Sequence, residues 1–288
     1  VKRLARALLL LLAGSALAQQ AVQVPSLDRV KGEPVVLPGL WFAAPGSGRQ
    51  PAMVLLHGCG GAFNRRGELD PRLHTMAGRL NARGIGALVL DSLAPRGEKE
   101  LCTQREGTRQ VTMRNRRRDA LGGLQWLAAQ PGVDAGRLGL MGWSNGGSTV
   151  LAASNHHHPE VAASPVQPAL AIAFYPGCAA DLKRGYEAAA PLLIMIGSAD
   201  DWTPAGPCEA LAREAKGPAP SLEVYPGAYH GFDGNGPVHL RKDVPNGTHP
   251  GAGVHLGSDP AAKAASALRV DDFLNEHWPR PAPPANMP

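Results

Sequence analysis

The chain has no cysteines at C-x-x-C spacing, no internal repeat, no low-complexity linker and no apolar run long enough to span a membrane. Each absence excludes something. Without paired cysteines a zinc site is poorly supported. A membrane helix needs about 20 consecutive apolar residues, and the longest apolar stretch falls short of that. Strong charge of one sign is missing too. Lys and Arg number 29 against 24 Asp and Glu, a formal +5. Lys2, Arg3 and Arg6 fall in the first eighteen residues, so residues 19–288 carry only +2. Nothing in that balance calls for nucleic acid or an anionic membrane as a partner.

What is present begins with a leader-like segment. Lys2, Arg3 and Arg6 form a basic start, Leu8–Ala13 is apolar, and Ala16-Leu17-Ala18 is a small-x-small site before Gln19. This reads as a secretory signal peptide over 1–18 and implies a secreted or periplasmic protein. No cysteine stands at the cleavage point, which argues against a lipoprotein. The remaining length of about 270 residues fits one large domain as easily as two. The reading adopted is one domain over 19–278, followed by a Pro-rich, disordered tail over 279–288. The four cysteines are Cys59, Cys102, Cys178 and Cys208. In an exported chain an even count suggests two disulfides, with three connectivities open.

Short apolar runs alternate with helical patterns. Strands are expected at "AMVLLHG" (52–58), "GALVLDS" (86–92), "GRLGLMGWS" (136–144), "LAIAFYPG" (170–177), "LLIMIGS" (192–198) and "LEVYPG" (222–227), with a leading strand pair in 35–44. Helices are expected over 70–84, 114–132, 146–154, 207–215 and about 259–277. Regular β-α alternation means a parallel sheet covered by helices, with ligands beyond the carboxyl ends of the strands. The residues just past each strand are therefore the candidates.

One of them is Ser144, inside the Gly-x-Ser-x-Gly of "MGWSNGG" (141–147). It falls at a strand-to-helix turn, the setting of a nucleophile elbow, where small neighbours let strand and helix approach. A serine needs a base, and the base needs an orienting acid. In chain order, Asp200 follows one strand and His230 follows the next. The Asn145 N–H opens a helix whose positive end faces an oxyanion, and the Cys59 N–H in "HGCGG" (57–61) is the second donor. Spacing alone leaves Asp200 and Asp201 as alternatives for the acid.

The segments "HGCGG", "DSLAPRG" (91–97), "RRDALGGLQWL" (117–127), "GWSNGG" (142–147), "GSADDWTP" (197–204) and "YHGFD" (229–233) together resemble the α/β-hydrolase fold and, within it, the dienelactone hydrolase family, over residues 35–278. The resemblance implies an α/β protein with a mostly parallel sheet of about eight strands and helices on both faces. It maps the nucleophile to Ser144, the base to His230, and the acid to Asp200 within Gly-x-x-Asp. Asp201 is then left to cap the next turn or the helix near Pro204. The name-giving lactone hydrolases carry cysteine at the nucleophile position, whereas this chain has serine. In this fold the strands ending at His57 and Asp91 are neighbours, as are those ending at Gly177 and Ser198. Their loops leave one edge, which implies the pairs Cys59–Cys102 and Cys178–Cys208.

The expected activity is a cofactor-free, metal-free serine hydrolase acting on a carboxylic ester, lactone or similar acyl bond of a small molecule. Rival readings are a peptidase or amidase, a polyester hydrolase, and a non-catalytic binding protein on the same scaffold. Trp143 and Trp202 flank the serine and the acid, as pocket walls or as core. His156-His157-His158 reads as a solvated loop. Arg114, Arg116, Arg117 and Arg118 read as the wet face of a helix. The long Gly- and Pro-rich connection over 231–258 is placed to cover the cleft. The sequence does not specify an oligomeric state.

Overall fold

The structure, a computed structural model, describes residues 19–64 and 66–279. The expected signal segment 1–18, and all of the Pro-rich tail except Pro279, lie outside the described residues. The chain opens with two long strands, β1 (Gln19–Val30) and β2 (Glu33–Phe42). Strands and helices then alternate: β3 (Gln50–Leu56), α1 (Pro71–Asn81), β4 (Gly86–Leu90), α2 (Met113–Ala128), β5 (Val133–Trp143), α3 (Asn145–Ala153), the one-turn α4 (Pro159–Ala162), β6 (Leu170–Phe174), α5 (Ala179–Arg184), β7 (Leu192–Gly197), α6 (Ala205–Glu214) and β8 (Ser221–Tyr225). A short ribbon of β9 (His239–Arg241) and β10 (Val254–Leu256) precedes the last helix, α7 (Pro260–His277).

The eight strands β1 to β8 form one sheet in the order β1-β2-β4-β3-β5-β6-β7-β8. β1 and β2 pair antiparallel, as do β2 and β4, and every later pairing is parallel. The inner strands β4, β6 and β7 are buried along their whole length, hence their unbroken apolar sequences. Helices cover both faces. A Cβ on Gly123 of α2 would lie 3.3 Å from the Val54 side chain, whereas Met53 and Trp278, just past α7, crowd Gly139. Val54 and Met53 are successive residues of β3 and so point to opposite faces. The helix starts are written locally. Asp70 accepts from Arg72 N ahead of Pro71, Asp259 accepts from Ala262 N ahead of Pro260, and Thr112 with Asn115 closes a capping box on α2.

Two expectations are corrected. The leading strand pair is not contained in 35–44: that stretch belongs to β2, and its partner is β1 over Gln19–Val30. Nor is the basic run a wet face throughout: Arg114 is exposed and Arg118 half-buried, but Arg116 is 1% exposed and Arg117 6%. Arg116 is covered from within, by the His57 carbonyl and the Asn145 side chain, whereas Arg117 and Arg118 are met by α4 and β1. β1 runs over α2 so closely that a Cβ on Gly122 would sit 2.4 Å from the Pro25 carbonyl. Asp28 on β1 receives Arg96 and Arg118, and Glu160 of α4 receives Arg117 and Arg118. Arg96 also bridges to Asp119 of α2, which in turn accepts from Ser26.

Candidate active site

Ser144 stands between β5 and α3 with φ +55° and ψ −119°, a left-handed conformation that a side chain rarely adopts. The surroundings hold it there. A Cβ on Gly142 would lie 2.3 Å from the Gly146 carbonyl, and one on Gly146 2.0 Å from the Leu56 carbonyl. Only glycine fits either place, so the turn brings α3 directly against β5 and β3 and leaves the serine side chain free at the strand ends.

Ser144 Oγ lies 2.8 Å from His230 Nε2, and His230 Nδ1 lies 2.8 Å from Asp200 Oδ2. His230 and Asp200 are 2% and 4% exposed. A carboxylate facing Nδ1 fixes the proton on that nitrogen, leaving Nε2 to accept from the serine hydroxyl. Asp200 is itself anchored. Its Oδ1 accepts from the Trp202 and Thr203 backbone N–H groups, and the Thr203 hydroxyl lies 3.0 Å from its Oδ2. Asp201 points elsewhere. Its carboxylate accepts from His255 N and faces His255 Nδ1 at 2.7 Å, and its carbonyl accepts from Thr248 N. It therefore pins the 248–255 loop instead of capping the next turn or α6, because Asp200 already makes that turn.

The Asn145 N–H opens α3, and the Cys59 N–H lies in the loop after β3. Among the described residues neither donates to a protein acceptor. The two disulfides are Cys59–Cys102 and Cys178–Cys208, the pairing that the resemblance implied. Behind the two amides sits Arg116. Its Nη2 donates to the His57 carbonyl at 2.7 Å and its Nη1 donates to Asn145 Oδ1. One buried cation thus ties the β3 loop to the start of α3. Burial pulls its guanidinium down to about 10, so it remains charged at neutral pH. His57 is buried next to it, with Nδ1 donating to the Gly58 carbonyl and Nε2 accepting from Ser92 N. Burial, and then Arg116, push the His57 imidazole well below its usual range.

Aromatic rings enclose the base. Tyr175 and Trp202 stand 4.6 and 4.7 Å from the His230 ring, centroid to centroid. Trp143 is not a pocket wall: it is 1% exposed, stacks on Phe174 at 5.3 Å and donates its indole N–H to Asp233. Asp233 also accepts from the Tyr175 hydroxyl and pairs with Arg72. Asp233 was not singled out from the sequence, although "YHGFD" carries it three residues after the base, and Arg116 was read only as part of a wet helix face. The triple histidine is not simply solvated. His158 is buried against Asp181, and His157 lies at the surface beside Glu187. No cluster among the described residues could hold a metal ion.

Two clefts meet at Ser144, sharing Cys59 and Trp202. The larger is about 930 Å³ and extends past Asn145 and Ser148 toward the 245–251 stretch. The smaller is about 280 Å³ and contains His230, Tyr175 and the Gly58–Gly61 loop. The connection over 231–258 is thus ordered as a ribbon plus a wall of the larger cleft, joined to the 104–106 stretch through Asn246.

Comparison with known proteins agrees with this fold. The family model described as the dienelactone hydrolase family matches residues 40–278. Among solved structures, a dienelactone hydrolase from Anabaena variabilis superposes with a TM-score of 0.61 at 18% identity, over 90% of this chain and 98% of that one. A dienelactone hydrolase-like promiscuous phosphotriesterase from metagenomic libraries gives 0.59 at 21%, over 90% and 99%. Esterase 2 of Thermogutta terrifontis, phosphorylated by paraoxon, gives 0.61 at 19%, over 91% and 96%. With the family's description spanning every strand from β3 onward and the serine turn among them, this chain belongs to the dienelactone hydrolase family and is a hydrolase of the carboxylic-ester type.

Proposed function

We propose that the protein is an exported serine esterase working through an acyl-enzyme, with Ser144 as nucleophile, His230 as base and Asp200 as the acid that orients it. The observation that carries this reading is the unbroken chain from Ser144 Oγ to His230 Nε2 and from His230 Nδ1 to Asp200, each step 2.8 Å. His230 takes the serine proton as Oγ attacks the substrate carbonyl, and Asp200 stabilises the imidazolium. The Asn145 and Cys59 N–H groups receive the oxyanion. The alcohol leaves with the proton from Nε2, and water repeats the sequence to free the acid and the serine. Export is supported by the two disulfides, which persist in oxidising compartments, and by the leader-like first eighteen residues. No helix among the described residues is long and apolar enough to cross a membrane.

An esterase of the same fold is phosphorylated by paraoxon, which supports a phosphonate as the probe. A fluorophosphonate should therefore modify the oxidised protein at one residue, Ser144, identified by peptide mapping. Ser144→Ala should lose both the label and ester turnover. A Ser144→Ala protein that hydrolyses esters at the wild-type rate would overturn the mechanism, and a wild-type protein that neither labels nor turns over would favour the binding-protein reading.

A further inference from the structure

Resting on Ser144 as nucleophile, we infer that the two clefts divide the substrate unequally: the acid part lies in the 930 Å³ cleft and the alcohol part in the 280 Å³ cleft, so the preferred substrates are esters of bulky, largely apolar carboxylic acids with short alcohols. The assignment follows from proton transfer. Once Oγ has attacked, the carbonyl carbon bears four groups: Oγ, the oxyanion, the leaving oxygen and the acyl carbon. The proton on His230 Nε2 must reach the leaving oxygen within hydrogen-bond distance. His230 borders the smaller cleft and not the larger. The oxyanion is taken by the two backbone amides, which leaves the acyl carbon facing the side of Asn145 and Ser148, residues that border the larger cleft alone. Trp202, bordering both, is the partition. It leans on the His230 ring at 4.7 Å and carries the Arg241 guanidinium at 5.9 Å on its face.

Size and lining give the class. The smaller cleft has less than a third of the volume of the larger, so the alcohol is the smaller half of the ester. The larger one reaches the top of the range for drug-sized ligands. Its walls include Val111, Met113, Pro204, Pro207, Pro245 and Pro250, an apolar and stiff surface. At its rim Arg105 and Arg109 are offset by Glu106, so charge of one sign does not dominate it.

The test uses two isomeric esters that carry the same ring on opposite sides of the ester bond: methyl 3-(2-naphthyl)propanoate and 2-(2-naphthyl)ethyl acetate. Both release alkyl alcohols, and each rate is divided by its alkaline hydrolysis rate. The expected result is a kcat/KM at least tenfold higher for the methyl ester. Equal rates or the reverse order overturn the assignment. Ala180→Trp intrudes on the larger cleft only and should lower turnover of the methyl ester at least tenfold more than that of the acetate; equal losses also overturn it. Fluorophosphonate labelling separates the two levels of the argument. A protein that labels at Ser144 yet shows the wrong order refutes the cleft assignment alone, whereas one that does not label removes the nucleophile and the assignment with it.

Discussion

Asp233→Asn is the most informative single change outside the serine chain. The Asp233 carboxylate accepts from the Tyr175 hydroxyl at 2.8 Å on Oδ1 and from the Trp143 indole at 2.9 Å on Oδ2, and it is ion-paired with Arg72, whose Nε lies 3.2 Å from Oδ2. It is 12% exposed. Hydrogen bonds to a charged partner contribute about 1.5–3 kcal/mol, against about 0.5–1.5 for a neutral pair. Asparagine removes the charge and replaces one oxygen with an NH₂ group. If the remaining oxygen keeps Trp143 and Arg72, the NH₂ meets the Tyr175 hydroxyl, which burial holds firmly in its protonated form. That hydroxyl must turn to accept, and its own proton loses its partner. Two buried bonds then weaken by about 1 kcal/mol each, and the Arg72 contact, 31% exposed, adds little. The expected loss is about 2 kcal/mol, read as a lower urea midpoint with unchanged slope in the oxidised protein. The same carboxylate ties the loop carrying His230 to the residue before Ser144, so kcat should fall as well, by about tenfold. Asp243→Asn is the control. Asp243 is 57% exposed in a surface pair with Arg241, and its loss should cost less than about 0.5 kcal/mol. A midpoint for Asp233→Asn no lower than that of the control would refute the argument that this carboxylate organises the site.

Two further outcomes follow from the same geometry. Asp200→Asn should leave the fold intact and lower kcat by about 10⁴, because the imidazole then loses its fixed tautomer, while Asp201→Asn should act only through the 248–255 loop and cost far less; steady-state kinetics on both variants give the order, and the reverse order would move the acid to Asp201. His57 predicts a pH effect on stability. Its imidazole stays neutral in the folded protein well below the usual range, whereas in the unfolded chain it takes a proton near pH 6.5. As pH falls through 6.5 the unfolded state gains a proton that the folded state does not, so His57 should lower stability by about 1.4 kcal/mol in total between pH 7.5 and 5.5, and His57→Gln should remove that contribution in urea titrations over the same range.

The strands β3 to β8 were legible in the sequence because a parallel strand covered on both faces needs an unbroken apolar run, as "AMVLL" and "LLIMI" display, whereas the short ribbon of β9 and β10 was not. The elbow was legible because Gly142 and Gly146 are required by contacts closer than any Cβ tolerates. β1 was harder to see. It is an edge strand with one partner, its sequence "QQAVQVPSLDRV" mixes polar residues and a proline, and it abuts the leader-like segment. Missing β1 hid a partner of Arg118, while Arg116 and Arg117 are buried by the His57 carbonyl, Asn145 and Glu160, contacts that leave no local pattern in the sequence. Asp233 and Arg116 act across distances of 90 and 59 residues, to Trp143 and to His57, and such pairings leave no local periodicity to read. Trp143 shows the limit of proximity in sequence: it ends β5 and packs on Phe174 with its indole on Asp233, while the left-handed turn carries Ser144, and not Trp143, to the clefts.

Arg116 also bears on the conditions under which the site keeps its field. A cationic patch at a surface loses its influence over a distance of about 8 Å at physiological salt, and a lysine discharges as the medium turns alkaline. Arg116 is 1% exposed and holds its charge until about pH 10. It is bonded to the Asn145 side chain and the His57 carbonyl, the flanks of the amides facing the serine. The positive potential behind those amides is therefore set mainly by the fold: salt screens it far less than a surface patch, and the charge that produces it persists from mild acid to mild base.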